Sequence, residues 1–394
     1  MSFLIGVLIF IVALLVSVML HEAGHFVTAK IFGMKATQFF IGFGTTLWSR
    51  VRGETEYGVK ALPVGGFVKI TGMTTIDDVD PADEPRSFRA KPGWQRAIVL
   101  FAGSFMHFVI AFVLLWILAV GIGVADQSST TVSVLPCIPA KAQATCAAGA
   151  TPKSPAAKAG LRSGDKIIAV GSQRVHNWTD IGNAIKAHKA GIPVPVTLMR
   201  NGHQITKTVD FASVKWHKGA FLGVAPIVVY HRSGPLAGLS YAGNQFGHIA
   251  EQSVTALGRI PKAIPYLFAK NRASTPGANV SSMVGAATIT GDVAAANIGW
   301  QQKASVVLLI VIEVNIFVGI FNLLPLLPLD GGHLAVVLYE RARAWIARLL
   351  RRPDPGLVDI KKLIPVSVGV FALIVAFGLL LIAADIINPL SISG

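Results

Sequence analysis

Charged residues are scarce in this sequence, and acidic ones are the scarcer kind. Only 14% of the 394 residues are charged, and 20 acidic side chains stand against 35 basic ones, which gives a net charge of +15. With 53% hydrophobic residues, this composition argues against a soluble enzyme and is typical of a chain with several membrane spans. Nucleic-acid-binding motifs are also missing. We therefore assign the basic excess to topology and to the anionic headgroups of a lipid bilayer, with no nucleic-acid partner.

Cysteine is nearly absent. Cys137 and Cys146 are the only two, and no other ligand residues flank them, which argues against a metal site at this place. Both fall in a long segment that we expect outside the cytoplasm, where a disulfide can close a short loop. The sequence leaves open whether the two are bridged.

Long apolar runs are what the sequence has in abundance. Four of them have the length needed to cross a bilayer, about 20 residues, and they cover residues 3–20, 97–124, 304–329 and 363–384. The first has no basic stretch before it, so it is not typical of a cleavable signal peptide. Lys and Arg are concentrated between the first two runs and between the last two, which predicts that both loops are cytoplasmic. The long 125–303 segment and both termini should then lie outside.

The first run leads into three ionisable side chains, in the order His21-Glu22-Ala23-Gly24-His25. A charged group inside a membrane helix costs about 2.5–3.5 kcal/mol unless something binds it. Positions i and i+4 share one face of a helix, so His21 and His25 can present two imidazoles to one zinc ion. Glu22 lies about 100° round the helix and can take a proton from the water that attacks an amide. The pattern predicts a metalloprotease; a chance match is the alternative, because only three positions are fixed.

A second polar motif lies at the end of the third run: Asn322-Leu-Leu-Pro-Leu-Leu-Pro-Leu-Asp330-Gly-Gly-His333. Its prolines interrupt the helix and its paired glycines allow a turn, so Asp330 can be aimed at a site on the first run. The first and third runs cross in the same direction, which places both motifs at matching depth. Two histidines and one carboxylate leave a fourth position open, as a catalytic zinc requires. His333 is the competing third ligand.

These two motifs, in this order and separation, resemble the site-2 protease family in its bacterial form with an inserted PDZ domain, and its actinobacterial members most. The resemblance spans nearly the whole chain. It implies that His21, His25 and Asp330 bind one zinc ion per chain. It also implies that Glu22 is the general base and that Asn322 helps to hold the substrate.

The same resemblance implies a biological setting. The protein would be a multi-pass protein of the bacterial cell membrane that performs regulated intramembrane proteolysis. Its substrates would be single-span membrane proteins, such as anti-sigma factors or remnant signal peptides, already shortened outside by another protease. No residue names the substrate.

Residues 38–70 are rich in Phe, Thr, Val and Gly, with a turn expected at Arg52-Gly53-Glu54, so we predict short strands here. A sheet edge beside the zinc could receive an unwound substrate segment as an added strand. Gly65, Gly66 and Phe67 are the residues that we expect to contact it. The site-2 protease family, which this chain resembles, has a membrane-associated β-hairpin at this place. The alternative is a hairpin that merely caps the helices.

The stretch 154–171 carries the pattern Ala-Gly-Leu-Arg-x-Gly-Asp-x-Ile-Ile and resembles a bacterial PDZ domain, with a helix following at 181–188 and a strand at 194–200. Asn201-Gly202 is typical of a hairpin turn. A PDZ fold binds extended peptide at a sheet edge, but the same unit could serve as a steric plug, and the sequence does not choose between them.

Three further features stay outside the predicted site. We interpret His107, in the second run, as hydrogen-bonded structure and not as a ligand. Glu313 lies 17 residues before Asp330 (330 − 313), about 25 Å along a helix, too far to share the zinc. Residues 242–270 show helical spacing of apolar residues beside Lys and Arg, which predicts an amphipathic helix on the outer membrane surface.

Together these features predict a multi-span α-helical membrane protein with four transmembrane helices, a membrane-associated β-hairpin and one inserted extracytoplasmic PDZ domain. The predicted parts are a first transmembrane helix (1–29), a hairpin region and loop (30–96), a second transmembrane helix (97–124), the PDZ domain (125–230), an amphipathic surface region (231–303), a third transmembrane helix (304–330), a basic cytoplasmic loop (331–362), a fourth transmembrane helix (363–384) and an outside tail (385–394).

Two other functions compete with proteolysis. An inactive PDZ scaffold would be indicated by loss of the base, but Glu22 is present. A metal transporter would need ligands spread across the membrane, whereas these ligands gather at one depth.

Overall fold

The structure is a computed structural model that describes residues 1–73, 78–126, 129–139, 146, 152–214, 217–269, 272, 275 and 280–389. Within these residues the helices are α1 (Ser2–Ile31), α2 (Gly93–Ile117), α3 (Pro155–Lys158), α4 (Trp178–Lys186), α5 (Pro235–Ala263), α6 (Met283–Ala295), α7 (Trp300–Asn322), α8 (Asp330–Leu349) and α9 (Ile364–Ile387). The strands are β1 (Ala36–Arg52), β2 (Thr55–Ile70), β3 (Val124–Ala125), β4 (Thr131–Val134), β5 (Asp165–Val170), β6 (Gln173–Arg174), β7 (Pro193–Arg200), β8 (His203–Asp210), β9 (Ala212–Val214), β10 (His217–Phe221), β11 (Val224–Pro226) and β12 (Tyr230–His231). The described residues form two compact units, one of residues 1–122 and 233–389 and the other of residues 123–232.

Four helices of the described chain are long and apolar enough to cross a membrane: α1, α2 with the π-helical turn Leu118–Ile122 that continues it, α7, and α9. This agrees with the four spans predicted from the sequence. The third is shorter than predicted, because α7 ends at Asn322, just before Pro325 and Pro328, which lack the N–H that would continue a helix. The direction of each helix across the membrane stays a prediction.

The first unit is built on α1, which packs against α2, α6 and α7. Phe10 of α1 is buried with Ala286 of α6 and Val311 of α7. Residues on the opposite face, such as Leu8 and Val12, are exposed and apolar. In lipid such a surface costs nothing, because the bilayer core is as apolar as the side chains.

Segments between the spans are more helical than the sequence indicated. The predicted basic loop at 331–362 contains the 20-residue helix α8. The predicted amphipathic region contains α5 and α6, and α5 packs against α2 and α7, burying Ala242 and Ile249 beside Leu115 and Ile312. Its position on the outer membrane surface stays a prediction. Residues 270, 271, 273, 274 and 276–279 of that region and residues 390–394 of the predicted tail lie outside the described residues.

The predicted short strands at 38–70 are instead two long bent ones. β1 has 17 residues and β2 has 16, and the turn between them falls at Gly53 and Glu54, as expected. The pairing is antiparallel with repeated register shifts, so the first half of β1 lies between two parts of β2: Phe40 is opposite both Phe67 and Gly58. This folding leaves residues 66–70 paired on one side only among the described residues.

The second unit is a mixed sheet-and-helix fold with its own buried core. Its main sheet has the order β11-β4-β5-β7-β8, with β6 beside β5, and α4 contributes Ile181 to a core that includes Ile167 and Leu198. Asn201 and Gly202 have positive φ values of 50° and 81° and form the hairpin turn between β7 and β8 that the sequence indicated.

Two further bonds stabilise this unit. Cys137 and Cys146 form a disulfide, which answers the question that the sequence left open. Arg200 makes a bidentate ion pair with the buried Asp165 and holds the pKa of that carboxyl below its usual range. The likeness of the unit to a PDZ domain stays a prediction.

Candidate metal centre

The first unit brings together two histidines from α1 and one carboxylate from the start of α8. His21 and His25 lie one helical turn apart, and Asp330 is the first residue of α8, directly after the irregular segment 323–329. Within the described residues, these three form the group of His, Cys, Asp and Glu side chains whose ligand atoms converge, all within 4.8 Å of one another. All three side chains are at least four-fifths buried, a position where unpaired polar groups are costly.

The three ligand atoms form a nearly equilateral triangle. His21 Nε2 and His25 Nε2 are 3.2 Å apart, and Asp330 Oδ2 is 3.3 Å from each of them. In a tetrahedral zinc site with bonds of about 2.0–2.1 Å, two ligand atoms are about 3.3–3.4 Å apart. The spacing therefore fits zinc, with a fourth position left open.

The hydrogen bonding of the three residues also fits a metal. Asp330 Oδ2 is buried and accepts no hydrogen bond within the described part of the chain. His25 Nδ1 is 2.7 Å from the carbonyl oxygen of Val99 and donates to it, which leaves Nε2 unprotonated and free to bind a cation. A buried carboxylate oxygen that lacks a donor is explained if it faces a cation.

Gly103 of α2 lets that helix pass directly over the two histidine rings. A Cβ at this position would lie 2.6 Å from Cε1 of His25 and 2.7 Å from Cε1 of His21, and closer still to His25 Nε2. Real Cβ contacts are essentially never this short, so a side chain here must displace the rings. The glycine is required by the close approach of the two helices.

Glu22 lies between the histidines and β2. Its Oε2 accepts a hydrogen bond from the backbone N–H of Val68 at 3.0 Å. A Cβ at Gly66 would come within 3.5 Å of Glu22 Cγ, so this part of β2 passes close to the glutamate. The unpaired side of residues 66–70 thus faces α1 at the level of the two histidines.

The remaining predicted residues occupy different surroundings. Phe67 stacks on Phe40 and Phe43 of β1, and Gly65 has a positive φ of 97° in the same strand. Asn322 is the last residue of α7. The competing ligand His333 is not in the converging group; it lines a separate small cavity with Arg96 and Glu340.

Two polar residues that the sequence left outside the site can now be placed. The ring of His107 lies 4.9 Å from the ring of His21, between centroids, and its Nδ1 is 2.9 Å from Asn315 Oδ1. The signal that could have revealed this proximity is a pair of hydrogen-bonding residues on two different apolar runs. Glu313 lines a large cavity of about 880 Å³ between α5, α6 and α7, with His248 and Arg259.

Comparisons with known proteins identify the family of this chain. The sequence pattern of peptidase family M50 matches residues 9–349. The chain is 34% identical to the zinc metalloprotease Rip1 of Mycolicibacterium smegmatis over the full length of both proteins. It is also 34% identical to Rip1 of Mycobacterium tuberculosis over 99% of each chain. A putative zinc metalloprotease of Fusobacterium nucleatum is 31% identical, over 86% of this chain and 88% of its own.

The class defined by the buried triangle and by the four apolar helices is a zinc metalloprotease of the membrane. The chain belongs to peptidase family M50, the site-2 proteases.

Proposed function

We propose that this protein is an intramembrane endopeptidase that cuts the transmembrane segment of single-span membrane proteins. The observation that carries the proposal is the position of the ligand triangle: it lies on a helix able to span a membrane and beside a strand with one unpaired side. A protease built in this way can act on a peptide that has left its helical form inside the bilayer.

His21 Nε2, His25 Nε2 and Asp330 Oδ2 hold one zinc ion per chain in this proposal. When bound, zinc supplies Lewis-acid chemistry, polarising the scissile carbonyl and activating water. The buried position of the three side chains excludes bulk water and strengthens their hold on a cation.

Glu22 acts as the general base. One carboxylate oxygen, Oε2, is held by the N–H of Val68, which fixes the side chain beside the triangle and leaves Oε1 to take a proton from the attacking water. The same carboxyl then delivers that proton to the leaving amine. A glutamine at this position has the same shape but cannot accept the proton at neutral pH.

The unpaired side of residues 66–70 receives the substrate as an added strand. An α-helical segment hides its amides in its own hydrogen bonds, whereas an extended one exposes them to attack. Gly65, Gly66 and Phe67 lie on this strand, and Gly66 lets the strand pass close to Glu22, because a Cβ there would meet Glu22 Cγ at 3.5 Å. Asn322, at the end of α7, is proposed to hold the opposite side of the substrate.

The substrates are proposed to be single-span proteins such as anti-sigma factors, or remnant signal peptides, after a first cut outside the cell. The protein would lie in a bacterial cell membrane, with both termini and the second unit outside. That unit is proposed to be a PDZ domain, which either binds peptide or limits the size of the substrate. The metal-transporter alternative is disfavoured, because the converging ligand group of the described residues lies at one place, where α1 meets the start of α8.

The test compares wild type with Glu22→Gln on candidate single-span proteins, with cleavage sites mapped by mass spectrometry and zinc measured in both proteins. The proposal expects equal zinc, and cleavage by wild type alone. Cleavage by Glu22→Gln would show that Glu22 is not the general base. A pair of ligand variants completes the test: Asp330→Ala should lose zinc and His333→Ala should keep it, and the reverse result would transfer the ligand role to His333.

A further inference from the structure

His107 is a buried histidine of α2 that the proposed mechanism does not use. Its ring lies 4.9 Å from that of His21, yet only 3% of the residue is exposed and it is not in the converging ligand group of the described residues. Buried polar groups are nearly always hydrogen-bonded, so both of its ring nitrogens need an account.

Asn315 fixes which ring nitrogen of neutral His107 carries the proton. Asn315 Nδ2 donates to the carbonyl oxygen of Val311 at 2.8 Å and to Ser17 Oγ at 3.1 Å. The Ser17 hydroxyl in turn donates to the carbonyl oxygen of Ala13 at 2.9 Å. A carbonyl oxygen can only accept, so the nitrogen end of the amide is assigned and Oδ1 must be the end that faces His107 Nδ1. His107 therefore donates from Nδ1, and its Nε2 is an unprotonated acceptor.

His21, in contrast, lacks a hydrogen-bond acceptor within the described residues. Its Nε2 belongs to the ligand triangle, which leaves the proton on Nδ1, and Nδ1 is buried with no hydrogen-bond partner within the described residues. The other ligand histidine, His25, does have an acceptor, the carbonyl oxygen of Val99. Histidines that bind metals almost always donate their second N–H to such a group. A separation of 4.9 Å between ring centroids is compatible with a hydrogen bond of about 2.7–3.2 Å between one nitrogen of each ring.

We propose that His107 is a positioning residue of the zinc site: its Nε2 accepts the Nδ1–H of His21 and fixes the tautomer and orientation in which His21 binds the metal. This proposal rests on the proposed role of His21 as a ligand. In this arrangement each residue donates a hydrogen bond to the next, in the order His21, His107, Asn315 and Ser17. The chain of bonds joins α2 and α7 to the ligand on α1. Removing an outer partner of this kind lowers metal affinity about 10- to 100-fold.

The test measures the zinc affinity of the full-length protein in detergent by competition with a chelator, independently of turnover. His107→Leu introduces an apolar side chain of similar size that offers no acceptor. It should raise the Kd for zinc about 10- to 100-fold. His107→Gln offers an acceptor oxygen and should recover most of the lost affinity. With cobalt(II) as the probe, the visible absorption bands should shift in His107→Leu and return towards wild type in His107→Gln.

Ser104→Ala is the matched control. Ser104 also lies on α2, and its Oγ is likewise buried without a partner in the described chain, so it tests whether any polar side chain on this helix has the same effect. This variant should leave the zinc Kd and the cobalt spectrum unchanged. Wild-type values in His107→Leu, or a change in Ser104→Ala alone, would overturn the proposal.

Two further measurements keep the result interpretable. If His107→Leu does not fold, Asn315→Leu removes the group that fixes the tautomer and should weaken zinc binding in the same direction; unchanged affinity in a folded Asn315→Leu counts against the proposal. A wild-type protein that binds no zinc would refute the ligand set itself, which separates failure of the proposed function from failure of this inference.

Discussion

Gly103→Ala should disable the metal site by adding one methyl group. The new Cβ would lie 2.6 Å from His25 Cε1 and 2.7 Å from His21 Cε1, whereas ordinary contact begins at 3.4 Å. The rings must then move by at least about 0.8 Å (3.4 − 2.6), because His25 Nε2 is closer still, unless α1 and α2 separate by as much. Metal sites tolerate departures of only about 0.2 Å in their ligand distances. We expect zinc affinity to fall at least about 100-fold, with cleavage lost in parallel.

The control for this variant is Gly121→Ala, in the continuation of the same helix. A Cβ there would meet Ile117 Cγ2 at 3.9 Å, an ordinary contact. Both substitutions gain up to about 1 kcal/mol of helix propensity, so a difference between them reports the contact with the histidines. Zinc is measured by mass spectrometry and chelator competition, and folding by thermal unfolding in detergent. If Gly103→Ala binds zinc and cleaves like wild type, the close contact between α2 and the histidine rings is not needed for the metal site, and the reasoning is refuted.

Three more predictions follow from other parts of the chain. Val68→Pro removes the N–H that holds the proposed base and should slow cleavage with zinc retained; an unchanged rate would mean that this bond is dispensable. Hydrogen bonds from Arg86 and from a lysine of α1 lower the pKa of Glu54 to about 2, so its stabilisation should be lost as pH falls from about 5 to about 2. The thermal midpoint of Glu54→Gln should therefore change less over that window, and equal slopes would contradict the reasoning. Replacing Cys137 and Cys146 by serine should destabilise the second unit by about 2–3 kcal/mol, measured by denaturant unfolding, and wild-type stability would show that the bridge constrains little.

The elements that depend on local pattern could be predicted from the sequence. The four apolar runs correspond to helices able to span a membrane, and the His-Glu-x-x-His run lies on α1 with both histidines on one side. Asp330 converges on them because two prolines end α7 and a new helix begins at the aspartate. Such features are set by helical periodicity and by proline, which act over a few residues.

Features that depend on contacts between distant segments were missed. The sequence predicts that His107 is hydrogen-bonded structure and not a ligand, and the structure agrees, but nothing in its own run points to its partner Asn315, 208 residues away. The sequence predicted short strands at 38–70, but the bend that lets Phe40 meet two parts of β2 depends on register, which alternation along one strand does not specify. The sequence also predicts a loop where α8 lies, because its arginines dominate the composition and its exposed apolar residues form no continuous run.

The proposed ligand set is divided between the two ends of the chain, and this has a consequence during synthesis. His21 and His25 leave the ribosome 305 residues before Asp330 (330 − 25). At about 5–20 residues per second, that interval lasts roughly 15–60 seconds. Throughout it, the nascent polypeptide carries two imidazoles and a glutamate but no third ligand. The protease therefore remains inactive while its own apolar segments, and those of neighbouring proteins, are inserted into the membrane.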